Sequence, residues 1–367
     1  MKLASYKDGS KNGQLVMVSK DNSLAHYTTG IVNTLQEALE DWNFIAPQLQ
    51  DLYDQLNFGK TKYHFAFQAS MCKAPLSRSY QHLWSPAFVS ALQLTQSHSS
   101  TENTNDDAST QTQLIRSLTR NNLKPYRSSP AFIHQLASDA FFAPSSTISI
   151  SSQQQDLDLY PQISVLLGDV KMACEPEQAI ESIRFLMLGQ QIVFDKLHQQ
   201  EKELSGPLMQ SRIGSSFAPL ALSLDELSDY WKKGRAKFLL QMHVNGKRTG
   251  SFDTSQDMLL HFGQLISIAA STRVLSAGTI LSCGPITQLP ETIKKQTDLS
   301  ACFSSIAEKR AIQKHQNVDA LSEFYRFNDV IKTEIKDNTG QSLFGAIELT
   351  IQDSHEAIVN TTSNISK

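Results

Sequence analysis

This chain is poor in charge. Asp, Glu, Lys and Arg make up 19% of its 367 residues, where about a quarter is usual in soluble domains. The formal net charge is −3. With no basic surplus, neither nucleic acid nor an acidic membrane is expected as a partner. No stretch of 18 apolar residues free of charge occurs, so no spanning helix is expected. The opening residues Met1 to Asp8 lack the apolar centre of a secretory leader. Cysteine is also scarce. Cys72, Cys174, Cys283 and Cys302 lie far apart and form no CxxC pair. They read as reduced thiols of a cytoplasmic protein, without the paired spacing of a zinc site.

What is present organises the chain into one large core with a smaller unit in front. Residues 1–72 form that first unit. Leu15 to Val18 reads as a strand entered through an Asp8-Gly9-Ser10 turn and Asn12-Gly13, a hairpin signal. Residues 34–56 carry apolar positions at helical spacing, with a break expected at Pro47. Residues 73–356 form the larger unit. Within it, 93–113 is polar and aperiodic and reads as an inserted disordered loop. Helices are expected at 225–231 and 258–273, with His261 as a packed or capping residue, and closing strands at 324–335 and 342–347. Residues 357–367 read as a frayed tail.

The centre of the pattern runs from Asp156 to Leu197. A strand-like run ends at Gly168, a short helix starts near Glu177, and a second apolar run, Phe185 to Leu188, ends at Gly189. Positions 156, 158, 160 and 162 share parity and so share one face of a strand. Gln190 and Gln191 then fall at a strand end, where sites are often built.

This stretch resembles the fumarylacetoacetate hydrolase family. There a Glu-x-Glu pair in one strand and an Asp after the next hold a magnesium or calcium ion. The spacing agrees, since 191 − 162 = 29 residues. The ligands do not: Tyr160 and Gln162 stand at the two Glu positions and Gln191 at the Asp position. The wording around Lys7-Asp-Gly-Ser, Asp41-Trp-Asn-Phe, Ala74-Pro-Leu-Ser-Arg-Ser and Ser305-Ile-Ala-Glu-Lys-Arg extends the resemblance over roughly 1–352. It implies an α+β, mostly β fold: a mixed β-roll C-terminal domain, a small β-rich N-terminal domain, and a homodimer.

The resemblance also marks what has changed. Trp84 stands at an acidic metal position and Ala91 at the catalytic His. His82 and His98 are out of register and read as exposed loop histidines. Arg116 resembles a substrate-binding Arg, and His134 falls where a substrate-binding Tyr is expected. Arg212 replaces a catalytic-site Lys, and Pro285 removes a hydroxyl and an N–H. Two Gln amides and a phenol in place of three carboxylates remove about three negative charges from a site for hard cations. No metal cofactor is expected. The first reading is thus a catalytically silent homologue with a binding or assembly role. The second is an active acylpyruvase-like enzyme that cleaves a C–C bond of β-diketo acids in aromatic catabolism, with Asp156, Asp158 or Asp195 as substitute ligands. The third is a metal-free pocket that takes a small carboxylate through Arg116 and Arg212.

Overall fold

A computed structural model of the chain describes residues 1–88, 133–151, 156–204, 208–288 and 299–354. The expectations for Ala91, His98, Arg116, the loop at 93–113 and the tail at 357–367 lie outside the described residues.

Eighteen strands are described. They are β1 Lys2–Tyr6, β2 Gln14–Val18, β3 Leu24–Tyr27, β4 Phe65–Ala66, β5 His82–Ser85, β6 His134–Leu136, β7 Ser145–Ile150, β8 Leu157–Leu167 and β9 Ile183–Phe194. There follow β10 Arg212–Phe217, β11 Ala221–Ser223, β12 Trp231–Lys232, β13 Arg235–Ala236, β14 Leu239–Val244, β15 Lys247–Asp253, β16 Ile280–Cys283, β17 Val330–Ile335 and β18 Ile347–Asp353. Six described helices accompany them: α1 Leu35–Glu40, α2 Trp42–Asn57, α3 Pro176–Glu181, α4 Asp195–Glu203, α5 Phe262–Ala269 and α6 Ile306–His315.

The long sheet runs β4-β3-β2-β1-β11-β9-β8-β16-β5-β6, with β10 paired to β9 off that path. Strands of the N-terminal unit therefore continue into the larger unit through the β1–β11 pair. A second sheet runs β15-β14-β17-β18-β7. The two central strands, β8 and β9, are buried along nearly their whole length. Both are covered on their two faces, so the polar residues they carry, Asp158, Gln162, Ser164, Gln190 and Gln191, are buried with the apolar ones. On one face, Leu159, Ile163, Val165, Leu186 and Leu188 join the five-stranded sheet in the main core with Leu240, Ile335, Leu349 and Ile351. On the other, Leu166, Phe185 and Met187 pack with Leu3, Leu15, Met17 and the buried sides of α1 and α2 in a second core. No described helix is long and apolar enough to cross a membrane.

Several local expectations need correction. The helical region 34–56 divides at Asp41, whose backbone leaves the helical basin, and Pro47 sits inside α2. Thr34 starts α1 with a capping box to Glu37, which sets its beginning independently of the proline. Residues 225–231 contribute the end of a 3-10 turn, Leu224–Leu227, and the first residue of β12, and the helix expected at 258–273 spans Phe262 to Ala269. The run expected to end at Gly189 continues to Phe194, so Gln190 and Gln191 lie within β9 rather than at its end. Polar residues there do not stop the strand because β8 and β10 pair with it on both sides. The closing strands are β17 and β18. His261 is the N-cap of α5, in a capping box with Gln264.

Candidate functional site

The site lies on one face of the long sheet. Tyr160 pairs with Gln191, and Gln162 with Gly189, across β8 and β9. Paired residues in a ladder share a face, so Tyr160 and Gln162 lie on one face as their parity implies, and Gln191 joins them through its pairing with Tyr160. On the far side of β8, Ser164 pairs with Ser282, and Ser282 pairs with Trp84. Trp84 pairs in turn with His134. The two rings are 5.5 Å apart.

Arg212 reaches the same face through an irregularity. Ser215 pairs with Gln191 and Phe217 with Gly189, yet Arg212 pairs with Val193 because the register shifts between Arg212 and Gly214. The extra residue, Ile213, places Arg212 on the side of odd-numbered Ser215 and Phe217. Helix α4 holds the entry to this strand: Glu201 accepts hydrogen bonds from the backbone N–H of Gln210 at 2.8 Å and of Ser211 at 3.2 Å.

The guanidinium lies over the Trp84 indole, with Cζ 3.8 Å from the ring centroid, and 5.6 Å from that of Tyr160. Its Nη1 donates to Gln191 Oε1. Arg212 is 2% exposed, and no described carboxylate forms a salt bridge with it. Burial brings its pKa down to about 10, so it remains a cation at neutral pH. Burial likewise pushes the Tyr160 hydroxyl well above its usual value and keeps it a neutral phenol. Burial, aided by Arg212, lowers the pKa of His134.

Unused hydrogen-bonding capacity is concentrated here. Both amide atoms of Gln162, Trp84 Nε1, Arg212 Nε and Ser215 Oγ are buried without a partner among the described residues. A Cβ at Gly189 would lie 3.0 Å from the side chains of Gln162 and Phe217, so a larger residue there would press on both.

His82 overturns the expectation of an exposed loop residue. It is fully buried in β5, where Nε2 pairs with Ser282 Oγ at 2.8 Å, and Ser282 Oγ meets Ser164 Oγ at 2.7 Å. Its ring also packs near Phe141 and Phe217. Burial brings its pKa down to about 4. The parity of Ser164 with Gln162 was available from the sequence, but the pairing with β16 and β5 was not. Pro285 is buried just beyond β16.

The substitute carboxylates are engaged elsewhere. Asp158 accepts from the backbone N–H groups of Leu159 at 2.8 Å, Ile306 at 3.0 Å and Ala307 at 2.8 Å, across the start of α6. Asp156 accepts from the N–H of Lys196, and Asp195 opens α4 and accepts from Gln199. Among the described residues no group of three or more His, Cys, Asp or Glu is placed to hold a metal ion. The donor set at Tyr160, Gln162 and Gln191 does not fit a hard divalent cation. It is neutral, and a fixed positive charge stands beside it.

A sheet of this order, with a polar patch on one face of its central strands, matches known proteins in sequence and in shape. Residues 1–78 match the family described as "Fumarylacetoacetase N-terminal domain 2", and residues 104–352 match "Fumarylacetoacetate (FAA) hydrolase C-terminal". The chain belongs to the fumarylacetoacetate hydrolase family.

Solved structures agree in fold. A probable 2-hydroxyhepta-2,4-diene-1,7-dioate isomerase from Mycobacterium abscessus superposes with a TM-score of 0.59 at 14% identity, over 96% of this chain and 99% of that one. Maleylpyruvate hydrolase from Sphingobium sp. SYK-6 gives 0.59 at 11% identity, over 96% and 100%. Fumarylacetoacetate hydrolase from the psychrophile Exiguobacterium antarcticum gives 0.58 at 12% identity, over 96% and 99%. The comparison with curated proteins returned no match.

Proposed function

We propose that this protein is a member of the family that no longer carries out metal-dependent C–C bond hydrolysis and serves instead in binding or assembly, as a homodimer. One observation carries the reading: the guanidinium of Arg212 lies buried against Trp84 and Gln191, beside Tyr160, where the family resemblance calls for carboxylates around a cation. A divalent ion beside it would meet repulsion rather than attraction, in a buried setting where charges are screened little. The family's chemistry needs a Lewis acid to polarise a carbonyl oxygen and a base to activate water. Tyr160, Gln162 and Gln191 do not recruit the first, and Ala91 does not supply the second. The solved maleylpyruvate hydrolase has also been captured with manganese(II) and pyruvate, which makes acylpyruvates the proper substrates to try.

The test is hydrolysis of acylpyruvates by the purified protein with magnesium, manganese or calcium, beside melting curves in metal and in chelator. We expect no turnover above background and no metal-dependent shift in melting temperature. Clear metal-dependent turnover would establish the alternative, an active acylpyruvase-like hydrolase with substitute ligands. A ligand at a hundredfold excess over its Kd stabilises the folded state by about 2.7 kcal/mol, so a bound metal would not escape notice.

A further inference from the structure

We propose that Arg212 acts as a built-in cation that binds a small monocarboxylate directly, without metal, between the Trp84 indole and the Gln162 amide. The inference rests on the reading of the site as metal-free and adds to it a ligand class.

Three buried N–H donors on this face lack acceptors among the described residues: Arg212 Nε, Trp84 Nε1 and Gln162 Nε2. Nearly all buried polar groups in folded proteins are hydrogen-bonded, so a cluster of orphans at one place marks a site for an acceptor. A negatively charged acceptor fits best, because the cluster includes a buried cation that is in no salt bridge among the described residues. A guanidinium edge and a carboxylate are both planar and match as a two-pronged pair. The flat Trp84 ring, against which the guanidinium already lies, favours a flat partner in the same plane.

The charge present selects among anions. Arg212 contributes one buried positive charge, and the two other charges that act with it, Lys202 and Glu201, are opposite in sign and offset each other. His134 is kept neutral by burial and by Arg212 itself. One fixed charge balances a monoanion, whereas a dianionic phosphate would leave a full negative charge buried and unpaired. Tyr160, neutral and near the guanidinium, adds a wall and a hydroxyl without a competing charge.

The experiment uses the full chain in excess chelator and titrates acetate, with phosphate at matched ionic strength as the comparison. Melting temperature and tryptophan fluorescence are both followed. We expect a saturable acetate effect at millimolar concentration, a weaker one with phosphate, and loss of the acetate effect in Arg212→Met. Trp84→Phe keeps a ring under the guanidinium but removes the indole donor. It should weaken acetate binding by about tenfold while the protein still folds, which guards against misreading an unfolded Arg212 variant. The proposal fails if acetate has no saturable effect on the wild type, or if Arg212→Met and Trp84→Phe both bind as well as wild type. It also fails if binding appears only after a divalent metal is added, and in that case the metal-free reading falls with it. Absence of acetate binding together with absence of acylpyruvate turnover would overturn the inference and leave the proposed function standing.

Discussion

A guanidinium buried among an indole, a phenol and an amide keeps its charge because the alternative, a neutral arginine, is costlier still. A desolvated cation–π contact contributes about 2 kcal/mol or more, and Trp84 is the contact at closest range. Trp84→Ala should therefore destabilise the protein by about 3–5 kcal/mol, as large aromatic truncations do, measurable by urea unfolding. Two other buried groups set opposite pH trends. The folded-state pKa of His82 is lowered to about 4 from its ordinary 6.5. Its contribution is present above pH 6.5 and is lost as pH falls toward 4, because only the unfolded chain takes up the proton. His82→Gln should make the acid limb of stability against pH shallower. Asp158 behaves in reverse. Burial pushes its carboxyl up to about 7 against three backbone N–H donors. The protonated form stabilises the fold at low pH, and that contribution declines as pH rises from about 4 to about 7. The stability difference between wild type and Asp158→Asn should shrink across that window. A difference that grows instead would mean the N–H donors of α6 outweigh burial.

At the scale of elements, the site depends on where β10 changes register. In an unbroken ladder Ile213 would share the face of Ser215, and Arg212 would turn toward the face of Ile192, part of the main apolar core. The extra residue reverses the two. Exchanging them, Arg212→Ile with Ile213→Arg, moves the charge to the exposed position and an apolar group to the buried one. Replacing buried charge by apolar groups is often neutral or stabilising by about 1–4 kcal/mol. The denaturation midpoint should therefore not fall, while the response to acetate disappears. A sharply lowered midpoint would mean that the guanidinium holds the site together. The β8–β9 pair offers a complementary test. Tyr160→Glu, Gln162→Glu and Gln191→Asp together would place three carboxylates on one face. These would repel one another and lower stability without metal. Arg212 would neutralise part of that charge, so adding Arg212→Met should strengthen the metal dependence of the revertant's melting temperature. A combined variant indifferent to magnesium would show that these positions do not converge closely enough to hold an ion. Hydrolysis should not return, since Ala91 and Pro285 remain.

At the scale of the whole molecule, the arrangement explains how a site can change while the fold persists. The two apolar cores lie on opposite sides of β8 and β9, and both are built from residues other than the polar patch. Tyr160, Gln162 and Gln191 belong to neither core, so a change of residue type at these positions leaves both cores intact, and hydrophobic burial is the dominant favourable contribution to folding. The homodimer we propose predicts a light-scattering mass twice that of the chain, independent of metal and chelator. A mass equal to the single chain at micromolar concentration would exclude it.

Much of this was legible in order along the chain. Alternating parity at 156, 158, 160 and 162, the 29-residue interval from Gln162 to Gln191, and the family wording around them put Tyr160 and Gln162 on one strand face and Gln191 near the next strand, though at its end rather than within it. These signals are local, and strand periodicity with spacing is enough to carry them. The capping role of His261 was also within reach, because caps are set by residues three or four apart. What only the tertiary structure decided depends on pairings between distant segments. His82 looked like a loop residue until β5 was inserted between β16 and β6, burying it against Ser282. Asp158 shares the Tyr160 face in the sequence pattern and was a candidate substitute ligand, but α6, about 150 residues away, claims its carboxylate. The sequence marks Arg212 only as the replacement for a catalytic-site lysine and a candidate carboxylate-binding residue. The register shift at Ile213 and the neighbouring Trp84 made it the charge at the centre of the site, because long-range strand register decides which side chains share a face.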